Sequence, residues 1–352
     1  MKRLFIVIIT LLTVTFSNAS ASDTKVNGRL YTDWTLETSD DVDSENSFSI
    51  SRAYVTVKSK LSDFTSVRIT TDIREVDNFS GYTIILKYGY FDWKPKFGNG
   101  KLKVRFGLHA TPYIDRMNKL WGRRYMLKTA SDLNKFVTSS DLGAGLIFGL
   151  GEKGKTGSAS VHIFNGSSYS HIEDENKNKN INAHILLNPF INNEKLKRSQ
   201  VQAQAYLGTQ NETIADNEDA SDYKMQLFSF GGLLGYNNTF DLGLDLNFLT
   251  EGPGNALDDD IKSSAFSLFG TLYFADLVEN ESFVRTLNLF GRFDIFDPDR
   301  DMDDDGEFMF VAGIECNPVK GFKASLNYKT INPEDDSQNS MSYLSINTLV
   351  KF

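Results

Sequence analysis

The sequence predicts an all-β chain: a closed, transmembrane, antiparallel up-and-down β-barrel of about sixteen strands. Three observations predict it. Segments of period-two alternation recur along the chain, the links between them alternate in length, and the last segment keeps the pattern up to a terminal phenylalanine, Phe352.

The alternation is plainest at four places. Val67, Ile69, Thr71 and Ile73 interleave with Arg68, Thr70, Asp72 and Arg74. Leu102, Val104, Phe106 and Leu108 interleave with Lys103, Arg105, Gly107 and His109. Phe240, Leu242, Leu244, Leu246 and Phe248 interleave with Asp241, Gly243, Asp245 and Asn247. Phe322, Ala324, Leu326 and Tyr328 interleave with Lys323, Ser325, Asn327 and Lys329. Successive strand side chains point to opposite faces, so each segment has one apolar and one polar face. The pattern places strands near 26–37, 47–59, 64–74, 81–93, 101–109, 139–150, 156–166, 179–190, 198–210, 222–236, 239–250, 262–275, 284–296, 306–316, 320–331 and 341–352. Most reach the roughly 9–11 residues that a tilted strand needs to cross a bilayer.

Long polar links follow the odd-numbered strands, at 38–46, 75–80, 110–138, 167–178, 211–221, 251–261, 297–305 and 332–340. Mostly shorter ones follow the even-numbered strands, such as Ser62-Asp63, Asn237-Asn238 and Asn317-Pro318-Val319. Long loops on one side and short turns on the other are the outer-membrane barrel arrangement, and an even strand count puts both termini on the periplasmic side. In the final segment Leu344, Ile346, Thr348, Val350 and Phe352 share a face. That pattern resembles the C-terminal signal that barrel-assembly machinery recognises. Tyr88, Tyr90, Phe91 and Trp93 cluster near a strand end, where aromatic rings suit a membrane–water boundary.

The chain opens with Lys2 and Arg3, an apolar run from Leu4 to Phe16, and Ala19-Ser20-Ala21. This reads as a secretory signal peptide over 1–21, leaving a barrel over 22–352. The formal net charge is −9, and removing Lys2 and Arg3 makes it more negative by two. Such a charge argues against nucleic-acid binding. A single cysteine, Cys316, excludes an intramolecular disulfide and a cysteine-based zinc site.

Several stretches then resemble one family. FSISRAYVTV over 48–57 followed by VRITTD over 67–72 is similar to the N-terminal strands of the phosphate-selective porin O/P family. RFGLHATP over 105–112 resembles that family's entry into its third external loop, and LGAGL over 142–146 and VHIFNG over 161–166 resemble the next two strands. The resemblance covers residues 27–166, and the remainder agrees by architecture. It implies a sixteen-stranded trimeric porin whose pore wall carries basic ladders. Arg52, Arg68, Asp72, Arg74 and Arg105 are the pore-wall candidates here, although a strongly negative chain does not by itself carry the family's phosphate selectivity.

The longest loop, 110–138, is the candidate constriction, by analogy with general porins whose third loop folds inward. Its charged residues are Asp115, Arg116, Lys119, Arg123, Arg124, Lys128, Asp132 and Lys135. Six are basic and two acidic, so facing charges in a narrow pore would favour anions mildly. The competing placement is a surface loop facing lipopolysaccharide.

Asp299, Asp301, Asp303 and Asp305, ahead of Gly306, space carboxylates as a Ca²⁺ loop does. The closing Glu is absent, and Ala312 stands in that place. A solvated external loop is the competing reading, and no other cofactor is expected. His109, His162, His171 and His184 sit on separate segments with no marked Ser–His trio, so neither an enzyme nor a histidine metal site is expected.

The expected function is therefore an outer-membrane porin passing small hydrophilic solutes and ions by passive diffusion through a water-filled pore. Its expected surroundings are the bacterial outer membrane, its lipid and lipopolysaccharide, the assembly machinery and two further copies in a homotrimer. The alternative is a non-conducting structural or receptor barrel that binds a partner through its external loops.

Overall fold

The computed structural model describes residues 23–39, 45–76, 79–171, 173–215, 218–254, 258–278 and 283–352. The expected leader over 1–21 lies outside the described residues. The strands are β1 (Asp23–Glu37), β2 (Asn46–Lys60), β3 (Thr65–Val76), β4 (Phe79–Trp93), β5 (Leu102–Ala110), β6 (Ser140–Leu150), β7 (Gly157–Phe164) and β8 (Asn180–Leu187). They continue as β9 (Gln200–Thr209), β10 (Lys224–Tyr236), β11 (Phe240–Glu251), β12 (Ile261–Tyr273), β13 (Leu287–Asp297), β14 (Glu307–Cys316), β15 (Phe322–Pro333) and β16 (Met341–Lys351). Each pairs antiparallel with its chain neighbours, and β1 pairs with β16 to close the barrel.

The barrel is apolar outside and polar inside. Ile69, Phe106, Leu146, Val161, Ile181, Phe228, Leu242, Ile314 and Leu326 are exposed, while Thr70, Asp72, Ser160, Asn182, Gln204, Asp245, Asn247, Asp294, Glu315 and Asn327 are buried. Water would not stabilise such an outer wall; hydrocarbon would. The inner polar groups satisfy one another across strands. Asn182 Nδ2 donates to Gln204 Oε1 at 2.8 Å, Gln204 Nε2 to Ser229 Oγ at 3.1 Å, and Asn327 Nδ2 to Asn347 Oδ1 at 2.7 Å.

The seam is closed to the last residue. Gly28 N–H donates to the Phe352 carbonyl at 2.8 Å and Phe352 N–H returns to the Gly28 carbonyl at 3.2 Å. The Phe352 ring covers Gly28, where a Cβ would collide with it.

Three expectations change. The link expected over 75–80 is taken up by strand, since β3 runs to Val76 and β4 begins at Phe79. The links after β8 and β12, at 188–199 and 274–286, are longer than some loops at the opposite end. Loop-length alternation is therefore a tendency here. Tyr88 and Tyr90 also leave the boundary cluster. Tyr88 lines an inner cavity and Tyr90 carries the Arg105 guanidinium 3.9 Å from its centroid, whereas Phe91 and Trp93 face outward.

Candidate functional site

The 110–138 segment enters the lumen. Helix α1 (Pro112–Trp121) starts after extended Thr111, with Pro112 in its first turn, where a missing N–H costs nothing. It ends at Gly122, whose φ of 72° is the left-handed conformation that glycine adopts without strain. Asp115 in the first turn and Lys119 in the last complement the helix dipole. A second short helix, α2 (Ala130–Leu133), follows.

Helix α1 buries Tyr113, Ile114, Met117 and Trp121. Their partners are inward apolar residues of the barrel itself. Tyr113, Met117 and Trp121 cluster with Leu233, Phe269, Phe290, Met309 and Val311. Ile114, Ala130, Phe136 and Val137 cluster with Phe164, Tyr206, Leu227, Leu249 and Ala265. Trp121 meets Phe269 edge-on at 5.3 Å, and Tyr113 donates to Asp245 Oδ1 at 2.7 Å. Gly231 permits the approach, since a Cβ there would lie 2.6 Å from the Tyr113 hydroxyl.

A polar clamp follows the helix. Arg123 Nε lies 3.4 Å from Glu315 Oε2, and Arg123 Nη1 donates to Thr271 Oγ1 at 2.8 Å. Tyr125 donates to Glu315 Oε2 at 2.9 Å, and Lys323 Nζ approaches Oε1 at 3.1 Å. Arg292, paired with Asp294, donates to the Lys128 carbonyl at 2.6 Å. Most of the segment's contacts are thus to β9–β14, with Tyr125 also packed on Tyr31 of β1 and Leu349 of β16, and cavities remain on the side of β1–β4, β15 and β16.

Two cavities occupy that space. One, of about 380 Å³, lies toward the long-loop end and is lined by Asp33, Arg52, Arg124, Lys128, Lys329 and Tyr343 among others. The other, of about 450 Å³, lies toward the chain termini and is lined by Arg29, Lys58, Arg68, Lys87, Tyr88, Asp115, Lys119 and Lys351 among others. Tyr31 and Arg124 line both. Arg124 is held by Asp132 at 3.3 Å. Burial lowers the Lys128 ammonium from its ordinary pKa, with Asp132 opposing the shift.

The candidate constriction residues therefore divide. Asp115, Lys119, Arg124 and Lys128 line the cavities. Arg116 and Arg123 do not: Arg116 donates to Gln200 on β9, and Arg123 is buried in the clamp. Lys135 is exposed. Of the wall candidates, Arg52 is paired with the buried Asp72, and Arg105 forms a two-pronged pair with Asp92 at 2.7 and 2.8 Å. Arg74 lies 5.5 Å over the Tyr169 ring, and Arg68 lies 4.3 Å over Tyr88.

Sequence reasoning missed Arg29, Lys58, Lys87, Lys329 and Lys351. Lys58 was readable, since it continues the alternation of Arg52, Tyr54 and Thr56. Lys87 was not, because it is the extra residue where the β3–β4 register shifts, Thr70 facing Tyr88 and Thr71 facing Leu86. The buried Lys87 ammonium donates to Ser139 Oγ at 2.5 Å and sits 3.3 Å from the Tyr169 ring centroid.

At the terminal-end cavity like charges face each other across the strands: Arg29 opposite Lys351, and Lys58 opposite Arg68. None of the four has a carboxylate within ion-pair distance among the described residues. Directly opposed like charges destabilise a sheet.

His109 and His162 come together with ring centroids 5.1 Å apart, and His184 hydrogen-bonds Gln202 at 2.9 Å. In the acidic loop Asp301 is taken by Lys262 at 2.7 Å. Among the described residues no group of three or more His, Cys, Asp or Glu is placed to hold a metal ion.

No family model and no curated protein matches the chain. Solved structures do. The outer-membrane channel DcaP of Acinetobacter baumannii superposes with a TM-score of 0.67 at 12% identity, over 96% of this chain and 99% of that one. The fold is that of the outer-membrane porins. OprB of Pseudomonas putida matches with a TM-score of 0.66 at 9% identity, over 94% of each chain. The anion-selective porin of Comamonas acidovorans matches with a TM-score of 0.64 at 11% identity, over 94% of this chain and 100% of that one. These likenesses establish the architecture; the finer resemblance to the phosphate-selective family is not supported by a family match.

Proposed function

We infer that this chain is an outer-membrane porin with an anion preference, and that its pore runs through the two cavities past Arg124 and Tyr31. The observation that carries the reading is the one-sided lumen. Apolar clusters close the β10–β14 side, and the opposite side presents Arg29, Lys58, Arg68, Lys87 and Lys351, none within ion-pair distance of a carboxylate among the described residues. Fixed cations beside a low-dielectric wall concentrate anions and repel cations. The chain's acidic excess does not oppose this, because charges more than about 8–10 Å apart across water are largely screened.

The mechanism is passive and needs no catalysis. Solutes enter between the long loops, pass the narrow point set by Arg124 and leave at the periplasmic end. Because the loop is clamped, the constriction is permanent. Assembly proceeds through the Phe352 strand, and the protein works as a homotrimer in the lipid and lipopolysaccharide of the bacterial outer membrane; one similar solved structure is described as a trimer form. Planar-bilayer recordings test the reading. Regular conductance steps are expected, and their absence would favour a plugged receptor barrel.

A further inference from the structure

We propose that the terminal-end cavity is a binding site for phosphomonoesters attached to a ring, a substrate class narrower than anions in general. The inference rests on the pore reading above and names what the pore favours.

Four observations carry it. The first is the pair of opposed like charges, Arg29 with Lys351 and Lys58 with Arg68. Each pair costs stability in the empty protein. A bound polyanion removes that cost, so the arrangement is best satisfied with an anion present. The second is the lack of internal neutralisation. Among the described residues Asp115 is the one acidic side chain lining the cavity, and Lys119 already holds it at 2.5 Å.

The third is the match of charge. A phosphomonoester carries about −1.5 to −2 charges at neutral pH and three acceptor oxygens. Two guanidinium groups and two ammonium groups supply donors for all of them, with the guanidinium groups able to bind two oxygens at once. The fourth is the remaining space. About 450 Å³ falls within the ~300–1,000 Å³ of small-molecule sites and exceeds what inorganic phosphate occupies. Tyr54 and Tyr88 line that space, and Tyr88 supports the Arg68 guanidinium at 4.3 Å from its centroid. Aromatic walls next to fixed cations suit a ring joined to a phosphate.

The experiment is block of single-channel KCl current at 0.1 M salt by adenosine 5′-monophosphate, inorganic phosphate, citrate or adenosine. Adenosine 5′-monophosphate should half-block at a concentration at least about tenfold below that for phosphate or citrate, and adenosine should not block. A Lys58→Gln/Arg68→Gln double variant should raise its half-blocking concentration at least about tenfold while keeping regular steps. Tyr88→Leu should narrow the gap between the nucleotide and phosphate. Equal block by nucleotide, phosphate and citrate would overturn the proposal, as would no block by any of them. In either case a chloride-preferring reversal potential would leave the porin reading standing, whereas a potassium-preferring one would remove both.

Discussion

Replacing Glu315 by alanine should unfasten the lumenal loop. The Glu315 side chain is 1% exposed; its carboxylate accepts hydrogen bonds from Tyr125 at 2.9 Å, Lys323 at 3.1 Å, Asn288 at 3.2 Å and Asn317 at 3.1 Å, and lies 3.4 Å from Arg123 Nε as an ion pair without a hydrogen bond. In Glu315→Ala the buried Arg123 loses its ion-pair partner and keeps the hydrogen bond to Thr271 and the faces of Phe290 and Trp121. Removing one partner of a buried ion pair costs about 3–5 kcal/mol. Removing Arg123 leaves Glu315 with four partners, so Arg123→Ala should cost less, on the order of 1–3 kcal/mol. The penalty falls on the loop rather than on the strand ladder. Amide exchange over residues 122–128 should therefore speed up by roughly a hundred- to several-thousand-fold, with strand exchange unchanged. Single-channel current should become noisy on the same substitution. Unaltered loop exchange and quiet current in Glu315→Ala would refute the clamp, and equal effects of the two substitutions would refute the asymmetry.

Arg124→Ser should raise single-channel conductance and weaken chloride preference, because Arg124 lines both cavities; unchanged values would move the constriction elsewhere. Deleting Phe352 removes a ring lying over Gly28 and two seam hydrogen bonds, so the heat-resistant folded fraction on gels should fall, and an unchanged fraction would exclude a role in assembly. Calcium titration should give no saturable heat, since Lys262 holds Asp301; a saturable one-site isotherm would establish Ca²⁺ binding in the 297–306 loop.

The fold was legible because a barrel in a bilayer imposes one simple rule on every strand. Ile69 and Leu242 must face out, Asp72 and Asp245 must face in, and the alternation records this directly. The lumen was less legible. Leu227, Leu249, Phe269, Phe290, Met309 and Val311 occupy inner positions where alternation alone expects polar residues, so the inner face of β10–β14 mixes apolar residues with polar ones such as Asp245 and Asp294. That excess signals something apolar inside the barrel, and the amphipathic face of 112–121 is its partner. Residue type placed Arg123 in the loop but not in its role, because the clamp closes on a carboxylate 190 positions beyond Tyr125. Lys87 escaped for a local reason. One extra residue in β4 shifts the parity of the strand, and no composition signal marks it. Arg29, Lys58, Arg68 and Lys351 become a constellation only once the register sets them opposite one another.

A basic channel face sets the selectivity of this pore, and the reversal potential across a KCl gradient tests it most directly. Measured on the wild-type chain and on Lys58→Gln/Arg68→Gln, it should show chloride preference in the first and a clear shift toward potassium in the second. A wild-type pore that prefers potassium, or a preference that the double substitution leaves unmoved, would contradict the account.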